Sequence, residues 1–305
     1  MHQPARQTLL ILGMHRSGTS AVAGAAALLG AQLPKHLISA AADNPAGFFE
    51  SPTVIAANEW ILSKAGCAWY DCLDFSPARL SPIELGMANE MISYTLSTEF
   101  SDAGLILLKD PRLCVVQDIW LPALQALAAA PSALIVLRHP AEVTASLQQR
   151  DGCPVSLAVA LWLSHMLSAE RATRGHPRSF LAYEALLQDW RSTLWRAGRQ
   201  TGVIWPKSLE LVAPQMQQFL DANLRHHRQP QQISGVRLLD RLADETYRTM
   251  LGLTVEPEQT EQLRRLGDLR AVFERWVFGE GQEFRRKIRE ARPLIQPVIA
   301  QPASG

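Results

Sequence analysis

A chain of 305 residues with 47% hydrophobic and 19% charged content reads as a globular protein long enough to bury a sizeable core. Its net charge of +1 removes any general electrostatic case for nucleic acid or an anionic membrane surface. The four cysteines, Cys67, Cys72, Cys114 and Cys153, have no metal spacing and frame no disulfide scaffold, as expected of a protein in a reducing cytosol.

In chain order, the apolar run TLLILG (8–13) reads as a buried strand. It is too short to span a membrane and no signal-peptide cleavage site accompanies it, so a cytoplasmic protein is expected. A small-residue helix follows over 19–30, then helical patterns at 53–65 and 81–99. LILLK (105–109) is a second strand, 115–129 a helix, and ALIVLR (133–138) a third strand. Helices at 140–149 and 154–173 precede SFLAY (179–183), a weaker fourth strand, and a helix over 185–201. Strands alternating with helices predict an α/β fold, a parallel sheet flanked by helices, with ligands beyond the carboxyl ends of the strands. From about 206 the pattern turns helical, as in VRLLDRLADETYRTMLGL, and an arginine-rich helix runs to about 290. One domain over 1–305 is expected: a core at about 8–205, a helical C-terminal extension at about 206–290, and a Pro/Ala tail at 291–305.

ILGMHRSGTSAVAG (11–24) carries the first chemistry. Gly13 ends a strand, four residues intervene, and Gly18, Thr19 and Ser20 open a helix. The nucleoside-triphosphate pattern G-x-x-x-x-G-K-[ST] has a lysine where this chain has Thr19. Backbone N–H groups and the positive end of a helix still make an anion cradle. Arg16 adds charge inside it, and the Thr19 and Ser20 hydroxyls can donate to phosphate oxygens. The plainer alternative is a glycine turn with a solvated Arg16. A second candidate follows the third strand in LRHPAEVTASL (137–147). Arg138 ends the strand, Pro140 starts a helix, and Ser146 lies about two turns along. Arginine is a fork suited to phosphate. An ion pair with Glu142 is the competing account of Arg138, and a helix filler that of Ser146.

Taken together, the two sites resemble the sulfotransferase family. Arg16, Ser17, Gly18, Thr19 and Ser20 resemble its 5′-phosphosulfate-binding loop. Arg138 and Ser146, behind RHP, resemble its 3′-phosphate-binding motif. FLAYEALLQDW (180–190) is similar to a third recurring stretch, in which a tyrosine lies near the adenine, here Tyr183. The resemblance covers about 8–190 and is strongest to bacterial sulfotransferase-domain proteins of the GMHRSGTS … NPxGFxE … KDPR … RHP type. LRHHR (224–228) is loosely similar, and the rest of 206–305 carries no match. The resemblance implies a P-loop-like sulfotransferase fold, 3′-phosphoadenosine 5′-phosphosulfate (PAPS) as donor, and 3′-phosphoadenosine 5′-phosphate (PAP) as product. Such a donor has no γ-phosphate, so a loop lysine has no task and no metal is expected. Arg16 would stabilise charge on the departing bridging oxygen, and His15 would contact the sulfate or nothing.

An acceptor hydroxyl must lose a proton during attack. Glu50 in DNPAGFFESP (43–52) follows a turn and two phenylalanines, whose burial of it would raise its pKa. It could correspond to the glutamate that many luminal sulfotransferases use as base. Capping of the next helix, or a hydrogen bond to substrate, are its alternatives. The histidine base of the cytosolic aryl and steroid branch has no assigned counterpart. Lys109 in LLKDPRL (107–113), one of five lysines, stands at a strand's carboxyl end. It would stabilise sulfate charge or bind the acceptor with Asp110 orienting it, against a plain Lys109–Asp110–Arg112 surface network. Trp162 and His165 share a helix face and read as core. The rival functions are a P-loop kinase and a non-catalytic PAP-binding module. The acceptor expected is a carbohydrate or small molecule, and the C-terminal helices would shape its pocket or a homodimer contact.

Overall fold

The structure, a computed structural model, is described over residues 6–41, 44–100, 104–220 and 236–290. LRHHR (224–228) and the tail at 291–305 lie outside the described residues. Four parallel strands, β1 (Arg6–Leu12), β2 (Leu105–Lys109), β3 (Ala129–Leu137) and β4 (Arg178–Ala182), form one sheet in the order β2-β1-β3-β4. The register sets Ile11 beside Lys109, Leu12 beside Ile135 and Leu137 beside Ala182, so all four carboxyl ends face the same edge.

Both sheet faces are covered, which is why these strands are apolar runs without a polar alternation. Leu10, Leu12, Ile106, Leu108, Ile135 and Leu137 enter one hydrophobic cluster. Leu9, Ile11, Leu105, Leu107, Leu134 and Val136 enter the other. The second face is closed by α1 (Thr19–Leu28), by α7 (Tyr183–Gln188) and α8 (Trp190–Thr201), and by α9 (Ala213–Phe219). The first is closed by α2 (Pro52–Lys64), α3 (Pro82–Glu99), α4 (Leu113–Ala126), α5 (Pro140–Asp151) and α6 (Val155–Ala172). That cluster also takes in α10 (Arg237–Gly252) and α11 (Thr260–Phe278), through Leu239, Leu242, Met250, Leu266 and Phe273. The C-terminal helices thus build the core as well as extending it. A last helix, α12 (Gly281–Glu290), returns Arg285 to Asp71 and Asp74.

Several boundaries differ from the sequence reading, and the helix expected over 185–201 is two, α7 and α8, broken at Asp189. Alanine-rich 123–130 favours helix, yet α4 stops at Ala126 and β3 begins at Ala129, because pairing of Arg6 with Ala129 outweighs local propensity. Gly13 leaves β1 and belongs to the loop. Tyr183 opens α7 and does not end β4. No helix among the described residues is long and apolar enough to cross a membrane.

Arg178, fully enclosed at the start of β4, joins the sheet to the C-terminal helices. It donates to the Glu170 carbonyl at 2.6 Å, the Thr173 hydroxyl at 3.2 Å and Glu258 at 2.7 Å. Glu258 is more than half exposed, so the buried ionic partner is the Glu170 carboxylate at 3.4 Å, and removing one partner of a buried ion pair costs up to about 3–5 kcal/mol. Arg178→Ala should lower stability by that order, read as a reduced urea midpoint at unchanged slope. A midpoint shift that, multiplied by the slope, amounts to less than about 0.5 kcal/mol would show that the junction contributes nothing.

Candidate active site

The loop between β1 and α1 begins with Gly13, where a Cβ would lie 2.9 Å from Thr19 and 3.0 Å from the Val136 carbonyl. Its amide donates to the Cys114 Sγ at 3.0 Å. Arg16 then adopts a left-handed backbone, φ 69°, which costs a non-glycine residue about 1–3 kcal/mol. Gly18 is the helix N-cap at φ 87°, with no side-chain cap bond. A Cβ there would stand 2.3 Å from the Tyr183 ring, so glycine is required twice over. With no capping side chain, the first-turn N–H groups of α1 are left to a ligand or water.

The strained loop is clasped from β3 and α5. Arg138 donates through one terminal nitrogen to the Arg16 carbonyl at 2.9 Å. Arg16 in turn donates from Nε to the Ser146 Oγ at 2.8 Å. The two anion sites read separately in the sequence therefore touch each other. Arg138 also donates to Glu142 at 3.0 Å, as the competing account required, but Glu142 is buried and the pair is no surface feature. The Arg138 guanidinium lies 5.4 Å from the centre of the Tyr183 ring.

Lys109 and Glu50, both buried, form an ion pair across 59 residues of sequence. Lys109 lies 3.4 Å from the Ser20 Oγ, which links this pair to the loop. Burial raises the Glu50 carboxyl, and the neighbouring ammonium opposes the rise. Glu50 does not cap α2: Ser51 does, accepting from the Thr53 amide at 3.2 Å. Asp110 does not orient Lys109. It is fully buried and accepts from the Arg112 amide at 2.8 Å and from its guanidinium, while Arg112 also holds Glu59. The surface network considered for these three charges is therefore replaced by two separate buried pairs.

These groups wall a cavity of about 840 Å³. Its lining includes His15, Arg16, Gly18, Thr19 and Ser20 from the loop, Glu50 and Lys109, and Arg138, Ser146 and Tyr183. Ser17 alone of the expected loop residues does not line it, since its side chain is turned into the protein. The cavity also receives Asn44, Phe48, Gln149, Arg150 and Phe219, which the sequence reading did not select. Arg150 had a usable signal, being four residues beyond Ser146 on one helix face. Asn44 sits in the Asn-Pro turn and donates to the Ser20 Oγ at 3.1 Å and the Gly47 carbonyl at 2.8 Å. Phe219 had no signal. Among the described residues, no group of three or more His, Cys, Asp or Glu is placed to hold a metal ion.

His15 packs 5.1 Å from Trp69 and 6.5 Å from His165, between ring centres. Burial, helped by Arg150 and Arg112, holds it well below the usual imidazole range. Burial also pushes His165 down to about 4; its Nδ1 donates to the Leu161 carbonyl at 2.8 Å.

No protein-family model matches this chain, and no curated protein matches it. Among solved structures it is similar to the sulfotransferase domain of the olefin synthase from Synechococcus PCC 7002. That likeness covers 89% of this chain and 97% of the other, at 17% identity and a TM-score of 0.42.

His165, fully buried, and His15, partly open to the cavity, make stability depend on pH. Both stay neutral in the fold, whereas an unfolded histidine protonates near 6.5. Below that pH the unfolded chain binds more protons, so stability falls as pH drops from about 6.5 toward about 4, by up to about 1.4 kcal/mol per unit for each ring. Urea midpoints should decline between pH 7 and 5, and less steeply in His165→Gln. Equal slopes for the two proteins would clear His165 of any part in it.

Proposed function

We propose that this chain is a sulfotransferase, moving the sulfuryl group of PAPS to a hydroxyl of a carbohydrate or small molecule and releasing PAP. The observation that carries this reading is a single cavity lined by a lysine-free anion loop, an arginine–serine pair beside it, and a carboxylate held by a lysine. In this reading Arg16 and the amides opening α1 bind the phosphosulfate. Arg138 and Ser146 bind the 3′-phosphate, and Tyr183 flanks the adenine. The acceptor oxygen attacks sulfur, the bond from sulfur to the phosphate oxygen breaks, and the acceptor proton passes to Glu50. Lys109, already between Glu50 and Ser20, stabilises charge on the sulfuryl oxygens. Most of the catalysis is then positioning and electrostatics.

One observation favours a second reading, a phosphotransferase. Lys109 reaches the loop hydroxyl of Ser20 from the neighbouring strand end, where it could stand in for the missing loop lysine. Against this, the carboxylate at that strand end, Asp110, is committed to Arg112 and does not line the cavity.

Thermal unfolding separates the two readings. PAP at about a hundred times its Kd should add about 2.7 kcal/mol of stability with EDTA present, and ATP with Mg²⁺ should add little. Strong stabilisation by ATP–Mg²⁺ without any by PAP would favour the phosphotransferase.

Glu50→Gln tests the base. PAP affinity should hold, while sulfate transfer falls by at least about a hundredfold. Because burial raises this carboxyl, wild-type activity should climb with pH as Glu50 ionises, and the variant should lose that climb. Transfer within a few-fold of wild type would leave Glu50 as an acceptor contact.

A further inference from the structure

We infer that Phe219, contributed by the C-terminal helices, is a positioning residue for Glu50: its ring seats Phe49 against α1 and so fixes the backbone that delivers the carboxylate. The inference rests on the role proposed for Glu50 above.

Glu50 enters the cavity from a segment held on both sides. After it, Ser51 caps α2, and the Glu50 carbonyl itself accepts from the Ile38 amide at 2.9 Å. Before it, Phe49 stands at φ 58°, a left-handed backbone unfavourable to any residue with a side chain. Such a conformation persists where surrounding contacts over-determine it. The contacts here come from α1 and α9. The Phe49 ring meets the Phe219 ring edge to face, with centres 6.2 Å apart and planes at 81°. Both rings bear on Gly24, where a Cβ would lie 2.2 Å from the Cζ of Phe219 and 2.9 Å from that of Phe49.

Gly24 occupies the interior of α1, a position where glycine is disfavoured. Two locally unfavourable features, a helix-interior glycine and a left-handed phenylalanine, thus meet at one ring from a distant helix. Departures from local rules that coincide in space point to a functional constraint. The residue so fixed is followed at once by the carboxylate paired with Lys109.

Phe219 also lines the cavity, so a direct ligand contact must be separated from positioning. Phe219→Ala should lower kcat about ten- to a hundredfold, with the Kd for PAP changed by less than about twofold. Gly24→Ala, whose added methyl displaces both rings from outside the cavity, should do the same. Phe219→Leu should recover most of the rate. In a Glu50→Gln background, Phe219→Ala should cost less than about twofold more, because its effect passes through Glu50.

A second readout needs no turnover: the Glu50 carboxyl resonance in ¹³C-glutamate-labelled protein, assigned by its absence in Glu50→Gln. Its titration midpoint should move toward the ordinary carboxylate range in Phe219→Ala as water gains access. A PAP Kd raised more than about tenfold with kcat unchanged would make Phe219 a ligand contact and overturn the inference. A resonance that titrates as in wild type would overturn it too. If the wild-type protein transfers no sulfate, the sulfotransferase reading falls, and the resonance alone decides the positioning.

Discussion

The arrangement of the cavity depends on the buried ion pair between Lys109 and Glu50. Burying two charges is costly, and such pairs seldom stabilise a fold better than apolar residues of the same size. Separating the partners of such a pair, however, leaves a charge without compensation. Here it joins the end of β2 to the segment entering α2, with the Ser20 hydroxyl as a third member.

Around this pair, backbone strain is concentrated at the site. Arg16 and Phe49, two of the three non-glycine residues at positive φ among the described residues, flank the cavity. Each is held by contacts from elsewhere in the chain. The Arg16 carbonyl is gripped by Arg138 and its side chain by Ser146, while Phe49 is pressed between Gly24 and Phe219. Strain maintained from outside in this way pre-organises the loop after β1 and the segment leading to Glu50.

The C-terminal helices take part in both the core and the cavity. Arg178 and Arg285, both buried, tie them to the sheet and to the loop bearing Trp69. That loop packs Trp69 against His15, so the loop after β1 meets aromatic packing whose far anchor is α12. The helical segment least readable as sequence is thus coupled to the most readable motif.

The sequence by itself determined what local chemistry dictates. Apolar runs without alternation implied a parallel sheet covered on both faces, and the spacing of Gly13 and Gly18 implied a strand–loop–helix anion cradle. The placement of Lys109 and Arg138 at strand ends likewise implied that both would sit at one edge. Only the tertiary structure decided which of these groups meet. Pairing of Glu50 with Lys109, capping of α2 by Ser51, commitment of Asp110 to Arg112, and contact between Arg16 and Ser146 all depend on how separate elements are set side by side. Phe219 is the extreme case, an ordinary phenylalanine at the end of a short helix whose position matters through rings and a glycine almost two hundred residues earlier. Period and motif act within a dozen residues of chain, whereas a side chain's partner is chosen by packing across the whole fold, and no local pattern encodes that choice.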